Sequence, residues 1–199
     1  MELGAVLHLP ESRIEHVYFP ISGMISIVVV MCTGEQIETA IVGREGVAGA
    51  SIAMLGSRSF GQAVVQIQGR ALRVSGRNFM AFYNSSISFH SAINKYQGFL
   101  LAQTQQSVGC HAVHSVNERL CRWILQSRDV LHSDSIKLTQ EFLSHMLGVQ
   151  RNSVGACAQN LQKAGLIKYS RGTIKILDGD ALEQQACECY RAIRRLTKT

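Results

Sequence analysis

Arg151, Asn152 and Ser153 stand together in a stretch whose residue types suit the edges of base pairs. Arginine can bond guanine through two parallel N–H groups, and asparagine can do the same to adenine. The small residues Ser153, Gly155 and Ala156 would let a backbone come close to a duplex. Downstream, Lys168, Arg171 and Lys175 recur on a short basic segment placed to meet phosphates. Two further constellations carry reactive side chains. Cys110-His111 with His114 puts a thiol and an imidazole four residues apart, half of a metal site that lacks a third ligand nearby in sequence. The reading adopted for these three is a packed cysteine and two histidines at a hinge between domains. Cys187-Glu188-Cys189 would point its thiols in different directions on a helix, which disfavours a chelate or a disulfide. No metal site is therefore expected. No serine has the His/Asp setting of a nucleophile, and Gly43 to Gly49 lacks the Lys-Ser/Thr of a phosphate loop, so no catalytic residue is assigned.

The elements that must hold Arg151 and Asn152 are legible in the spacing. Thr139 can cap a helix with its hydroxyl, and Glu141 falls in the first turn, where the dipole favours an anion. Phe142, Leu143, Met146 and Leu147 form that helix's apolar stripe. Gly148 permits the positive φ that ends it. A second helix is expected from Gln150 to Ala164, with Val154, Cys157, Ala158 and Leu161 inward and Arg151, Asn152, Ser153, Ala156, Gln159 and Lys163 outward. After Gly165, residues 166–176 alternate as two strands around a turn at Arg171-Gly172. A helix pair joined by a tight turn, followed by a basic hairpin, describes a helix-turn-helix with a wing. In such a motif the start of the second helix faces the major groove.

The totals permit this reading. The chain has 199 residues, 46% hydrophobic and 17% charged, and a formal charge of +6, which marks it as globular and basic. The excess is uneven. Residues 114–199 hold 13 lysines and arginines against 8 acidic residues, whereas residues 1–113 hold 7 against 6. No run approaches the roughly 18 apolar residues of a membrane span, and the N-terminus has no secretory signal. Six cysteines without a signal read as reduced thiols in a cytoplasm.

Taken in order, residues 1–13 give no clear element. Residues 14–42 read as strands, with Met24 to Cys32 a β-branched run and Cys32-Thr33-Gly34-Glu35 a turn. Gly43, Gly46, Gly49 and Gly56 punctuate what reads as loop, and residues 62–68 and 70–74 are strands again. Short strands with glycine turns suggest a small antiparallel barrel or jelly roll. Ser75 caps a short helix, and a long helix runs from about Ser86 to Val113. On it Ile93, Tyr96 and Leu100 recur at three and four, a seam that could pair with a second copy or pack on the chain's own barrel. Asn117 to His132 is a further helix with Leu120, Trp123, Ile124 and Leu125 inward, and residues 136–138 a short strand. Asp178 to Thr199 reads as one final helix with a basic end at Arg191, Arg194, Arg195 and Lys198, taken as a solvated face.

Strands, long helix, helix, helix-turn-helix and wing in that order resemble the Crp/Fnr family of bacterial transcription regulators. The resemblance is carried by His16-Val-Tyr-Phe-Pro20 with Ser22-Gly23-Met24, Val42-Gly-Arg-Glu-Gly46, Asn117-Glu118-Arg119-Leu120, Leu138-Thr-Gln-Glu-Phe-Leu through Gly148-Val149 to Arg151, and Gly165-Leu166-Ile167. It implies an α+β chain: an N-terminal double-stranded β-helix (jelly-roll) domain of the cyclic-nucleotide-binding type over residues 1–85, a long dimerisation helix over 86–113, and a C-terminal winged helix-turn-helix over 114–199. It further implies a homodimer on a near-palindromic operator in double-stranded DNA, with RNA polymerase as a further partner and no enzymatic activity. Arg151 matches the family's base-reading arginine, and Asn152 and Ala156 replace an acidic residue and a second base-reading arginine of its best-known members, so a different operator is expected. Thr139 and Gln140 match phosphate-touching positions, and Gln150, Ser153, Lys168 and Arg171 are placed with them. The sequence begins late relative to the family's opening helix and strands. The cyclic-nucleotide cassette lacks its glutamate, and Arg58-Ser59 falls about one position early, so no cyclic nucleotide and no other cofactor is expected and the effector is unassigned. The N-terminal cysteine cluster of the oxygen-sensing members is not matched. A different reading, a ligand- or metal-binding β-barrel acting through protein contacts, predicts DNA binding without sequence preference. An enzyme on such a barrel would need a His/Glu cluster, and residues 14–74 contain only His16 among histidines.

Overall fold

The computed structural model describes residues 1–196. They form two compact units: residues 1–34 with 39–103, and residues 35–38 with 104 onward, so that the division falls within the long helix.

The first unit is β-rich. Its strands are β1 (Val6–His8), β2 (His16–Pro20), β3 (Met24–Val30), β4 (Gln36–Val42, whose start is grouped with the second unit), β5 (Gln62–Ile67) and β6 (Ala71–Ser75). They make a four-stranded sheet in the order β1-β5-β3-β4 and a two-stranded sheet β2-β6. The resolved pairings are antiparallel. The β-branched run of β3 is buried on both faces for most of its length, which is why it reads as a continuous apolar stretch and not as an alternation. Two elements depart from the expectation. Residues 6–8, in the segment without a clear signal, pair with β5. The glycine-punctuated loop contains α1 (Ala50–Leu55), whose ends are the left-handed Gly49 and Gly56. Those glycines bracket a short helix within what was expected to be a loop-rich stretch.

Ser75 caps α2 (Gly76–Ser85), its hydroxyl accepting from the Asn78 amide at 3.2 Å. The long helix is α3 (Ile87–Val113). Ile93, Tyr96 and Leu100, the expected dimer seam, turn into the first unit's own core. Ile93 packs with Val17, Val47, Ala50 and Phe79, Tyr96 joins the same cluster, and Leu100 packs beside Ile25, Val42 and Ala63. That face of the helix is consumed within the chain, so these three residues are not a free seam. The outward face instead carries Ile87, Leu101 and Val108, exposed at 90%, 60% and 66%.

The second unit is built on α4 (Val116–Leu131), where Leu120, Trp123, Ile124 and Leu125 are fully buried. A capping box starts it. The Ser115 hydroxyl accepts from the Glu118 amide while Glu118 accepts from the Ser115 amide and hydroxyl, and those bonds lower the Glu118 carboxyl below its ordinary value. Then come β7 (Ser135–Lys137), α5 (Gln140–Leu147), α6 (Arg151–Lys163), β8 (Ile167–Ser170) and β9 (Thr173–Ile176), the strands forming an antiparallel sheet β7-β9-β8. The expected single final helix is two: α7 (Gly179–Gln185) and α8 (Cys189–Leu196). Ala186 leaves the helical region at φ −82, ψ 151, and Cys187 and Cys189 are both buried. The objection that two thiols two apart on a helix diverge does not apply, because no helix joins them. Arg191 and Arg194 of the basic end pair with Glu183 across the break, Arg195 is exposed, and Lys198 lies outside the described residues.

Candidate nucleic-acid interface

The helix pair is held by apolar contacts that leave one face outside. Leu143, Met146 and Leu147 of α5 and Val154, Ala158 and Leu161 of α6 are all buried. Arg151, Asn152, Ser153, Ala156, Gln159 and Lys163 are all exposed, matching the division expected from the 3.6-residue period.

The turn between the helices is fixed at three atoms. Gly148 has φ 61, and its amide and that of Val149 return to the carbonyls of His145 and Ser144 at 3.2 and 3.0 Å. The carbonyl of Leu147, in the unsatisfied last turn of α5, accepts from Arg119 Nη1 at 2.9 Å. Arg119 is buried and nothing in its sequence neighbourhood announces this positioning role. At the start of α6 Gln150 caps without a side-chain hydrogen bond, and the Ser153 amide bonds the Gln150 carbonyl at 3.0 Å. The amides of Arg151 and Asn152 open the helix beside their exposed side chains, a setting that favours an anion.

Around that helix start lie the remaining residues assigned from the sequence. Thr139 is exposed, and its Oγ1 accepts from the Phe142 amide at 3.3 Å, leaving its own proton to donate. The Gln140 amide runs beside Gly155, where an added Cβ would sit 3.7 Å from Nε2. Lys168, Arg171 and Lys175 are exposed on the hairpin. Its turn places Arg171 at φ 49 and Gly172 at φ 71, and two successive left-handed residues need a glycine at one of them. The hairpin is tied to the helix pair by the Leu138 amide donating to Gly172 O at 2.6 Å and by Tyr169 Oη donating to Leu138 O at 3.2 Å. Burial raises the Tyr169 hydroxyl above its ordinary value, so it remains a donor at neutral pH. Among the described residues, Arg151, Lys163, Lys168, Arg171 and Lys175 form no salt bridge, and their charges are left to meet an outside anion. The arrangement brings an arginine, an amide side chain and a basic hairpin together around one helix start, and its chemistry suits a polyanion.

Residues 118–185 match the Crp-like helix-turn-helix domain family. A comparison with curated proteins gives no match. Among solved structures, FixK2 from Bradyrhizobium japonicum superposes with a TM-score of 0.80 at 13% identity, covering 94% of both chains. A CRP-family transcriptional regulator from Thermus thermophilus gives 0.78 at 16% identity over 94% of this chain and 95% of that one. A second, of the CRP/FNR family from the same organism, gives 0.77 at 18% identity over 94% and 96%. The fold and this face define a C-terminal winged helix-turn-helix domain preceded by a β-rich N-terminal unit. Residues 118–185, in the C-terminal unit, are a Crp-like helix-turn-helix domain, and the chain shares its fold with these regulators. No helix among the described residues is long and apolar enough to cross a membrane.

Proposed function

We propose that the protein regulates transcription as a homodimer that reads a near-palindromic operator. Arg151 and Asn152 contact base edges, and Thr139, Gln140, Gln150, Ser153, Lys168 and Arg171 hold phosphates. The observation that carries this reading is the start of α6: three consecutive polar residues exposed at a helix N-terminus without a side-chain cap, directly before a fully buried Val154. Two such helices, one from each copy, would lie about 34 Å apart to enter successive major grooves. The second copy is best received by the outward stripe of α3. Ile87, Asn94, Gly98, Leu101, Gln105 and Val108 are all exposed, and from Asn94 onward they recur at alternating steps of four and three. That is the period of a two-helix seam, and Gly98 lets the backbones approach.

Selection of random DNA on the purified protein with no ligand added tests the reading. Enrichment of a motif with half-sites one helical turn apart is the expected result. Binding without an enriched motif, unchanged when a cell extract supplies small molecules, would reject it. Salt dependence alone would not decide, because the phosphate contribution is independent of sequence.

A further inference from the structure

We propose that Cys110, His114, Cys187 and Cys189 form a closed, four-ligand site for one thiophilic divalent cation of the zinc class. Cys110 lies in the last turn of α3, His114 just after it, Cys187 in the break between α7 and α8, and Cys189 at the first position of α8, all in the second unit. One ligand atom from each lies within 4.8 Å of all the others. Cys110 Sγ is 3.6 Å from Cys187 Sγ, and Cys189 Sγ is 3.6 Å from His114 Nδ1. A tetrahedral ion with bonds of about 2.3 Å to sulfur and about 2.0–2.1 Å to nitrogen has S···S edges of about 3.8 Å and S···N edges of about 3.6 Å. The two observed edges fit a single centre. A set this narrow has no room for a multinuclear iron–sulfur cluster, whose thiolates are carried on separate irons.

Three features outside the ligand set support the assignment. His114 Nε2 is 3.1 Å from Glu188 Oε2, so an N–H donated there leaves Nδ1 as the lone-pair nitrogen facing the thiols. A carboxylate behind a metal-binding imidazole is the usual way its tautomer is fixed. Gln106 Nε2 donates to Cys189 Sγ at 3.0 Å, a bond that favours a thiolate. Finally, Arg119 and Arg122 are both buried, and neither forms a salt bridge with a carboxylate among the described residues. A buried cation needs a compensating charge. Three thiolates and one divalent ion sum to one negative charge, and both guanidiniums lie close enough to Cys110 to interact with it electrostatically. The same ion accounts for the helix break, since Cys187 and Cys189 can share a centre only if the chain between them is not helical. With four protein ligands the coordination is complete, which makes the site structural: it clips α8 to the end of α3.

The experiment uses the full chain, reduced and purified without an affinity metal. About one zinc per chain is expected, and replacing it with cobalt should give the intense visible bands of a tetrahedral ion together with thiolate-to-cobalt charge transfer. Cys110→Ser should weaken that charge transfer and lower retained metal, while Cys32→Ser, at an exposed thiol in the other unit, should change neither. Glu188→Gln, at a largely exposed side chain, should fold normally and lose about 10–100-fold in metal affinity. The proposal is overturned by a wild-type protein that takes up neither metal, by a weak octahedral cobalt spectrum, by a Cys110→Ser spectrum identical to wild type, or by mass spectra of fresh protein showing a Cys110–Cys187 disulfide. If Cys110→Ser does not fold, the wild-type spectrum and Glu188→Gln still decide.

Discussion

At the scale of single residues, the proposed interface divides into side chains that would read bases and side chains that would hold phosphates. Arg151 is exposed at the start of α6 and forms no salt bridge among the described residues, which leaves its guanidinium open for the base contact proposed above. Arg151→Ala should cost about 1–3 kcal/mol on the preferred operator and relax specificity at one position of each half-site. Comparing titrations on operator and random duplexes measures it, and equal losses on both would move Arg151 to the phosphate group. Lys168→Ala should weaken binding to all sequences alike and reduce the slope of log affinity against log salt by about 1 per protomer. Arg119 belongs to neither group. Its guanidinium bonds the Leu147 carbonyl inside the unit, and Arg119→Met should cost about 1.5–3 kcal/mol of stability, seen in urea unfolding. The exposed residues could be assigned from type and period. Arg119 could not, because its partner is a backbone carbonyl 28 residues away, and no sequence pattern encodes such a pairing.

At the scale of elements, the helix pair and wing were legible because each carries a local signal: a capping threonine, a 3.6-residue stripe, a turn glycine and an alternating hairpin. Gly148 is the most demanding of these. It sits at φ 61, and a Cβ there would lie 3.2 Å from Ile37 Cγ1. Gly148→Ala should therefore destabilise the second unit by more than about 1 kcal/mol, combining backbone strain with a close contact. Thermal unfolding of the variant checks this, and an unchanged midpoint would mean that the turn relaxes freely. The division of residues 178–196 into α7 and α8 was not legible for a related reason. The sequence Gln184-Gln185-Ala186-Cys187-Glu188 has neither proline nor glycine to stop a helix. The break is set by where Cys187 and Cys189 are buried, a tertiary cause with no local signature. The short α1 was missed in the opposite sense, since its bracketing glycines read as loop markers while they serve as helix ends.

At the scale of the whole molecule, a regulator that reads a palindrome needs two copies related by a two-fold axis. The sequence pointed to α3 for that contact through Ile93, Tyr96 and Leu100, or else to packing of those residues on the chain's own barrel. The first unit's core claims Ile93, Tyr96 and Leu100. Hydrophobic spacing alone cannot distinguish a face that packs at home from one that pairs abroad. Exposure favours the face proposed above: Leu101 and Val108 remain largely uncovered, one heptad apart. Leu101→Glu places two like charges across the proposed seam while leaving the core residues untouched. It should convert the dimer to a folded monomer, read by sedimentation equilibrium, with circular dichroism unchanged. Because a single copy engages only one half-site, the same variant should lose most affinity for the full operator while binding a half-site as the wild-type protomer does. A Leu101→Glu protein that stays dimeric would place the two-fold contact elsewhere. A monomer that still binds the full operator at wild-type strength would separate dimerisation from recognition altogether.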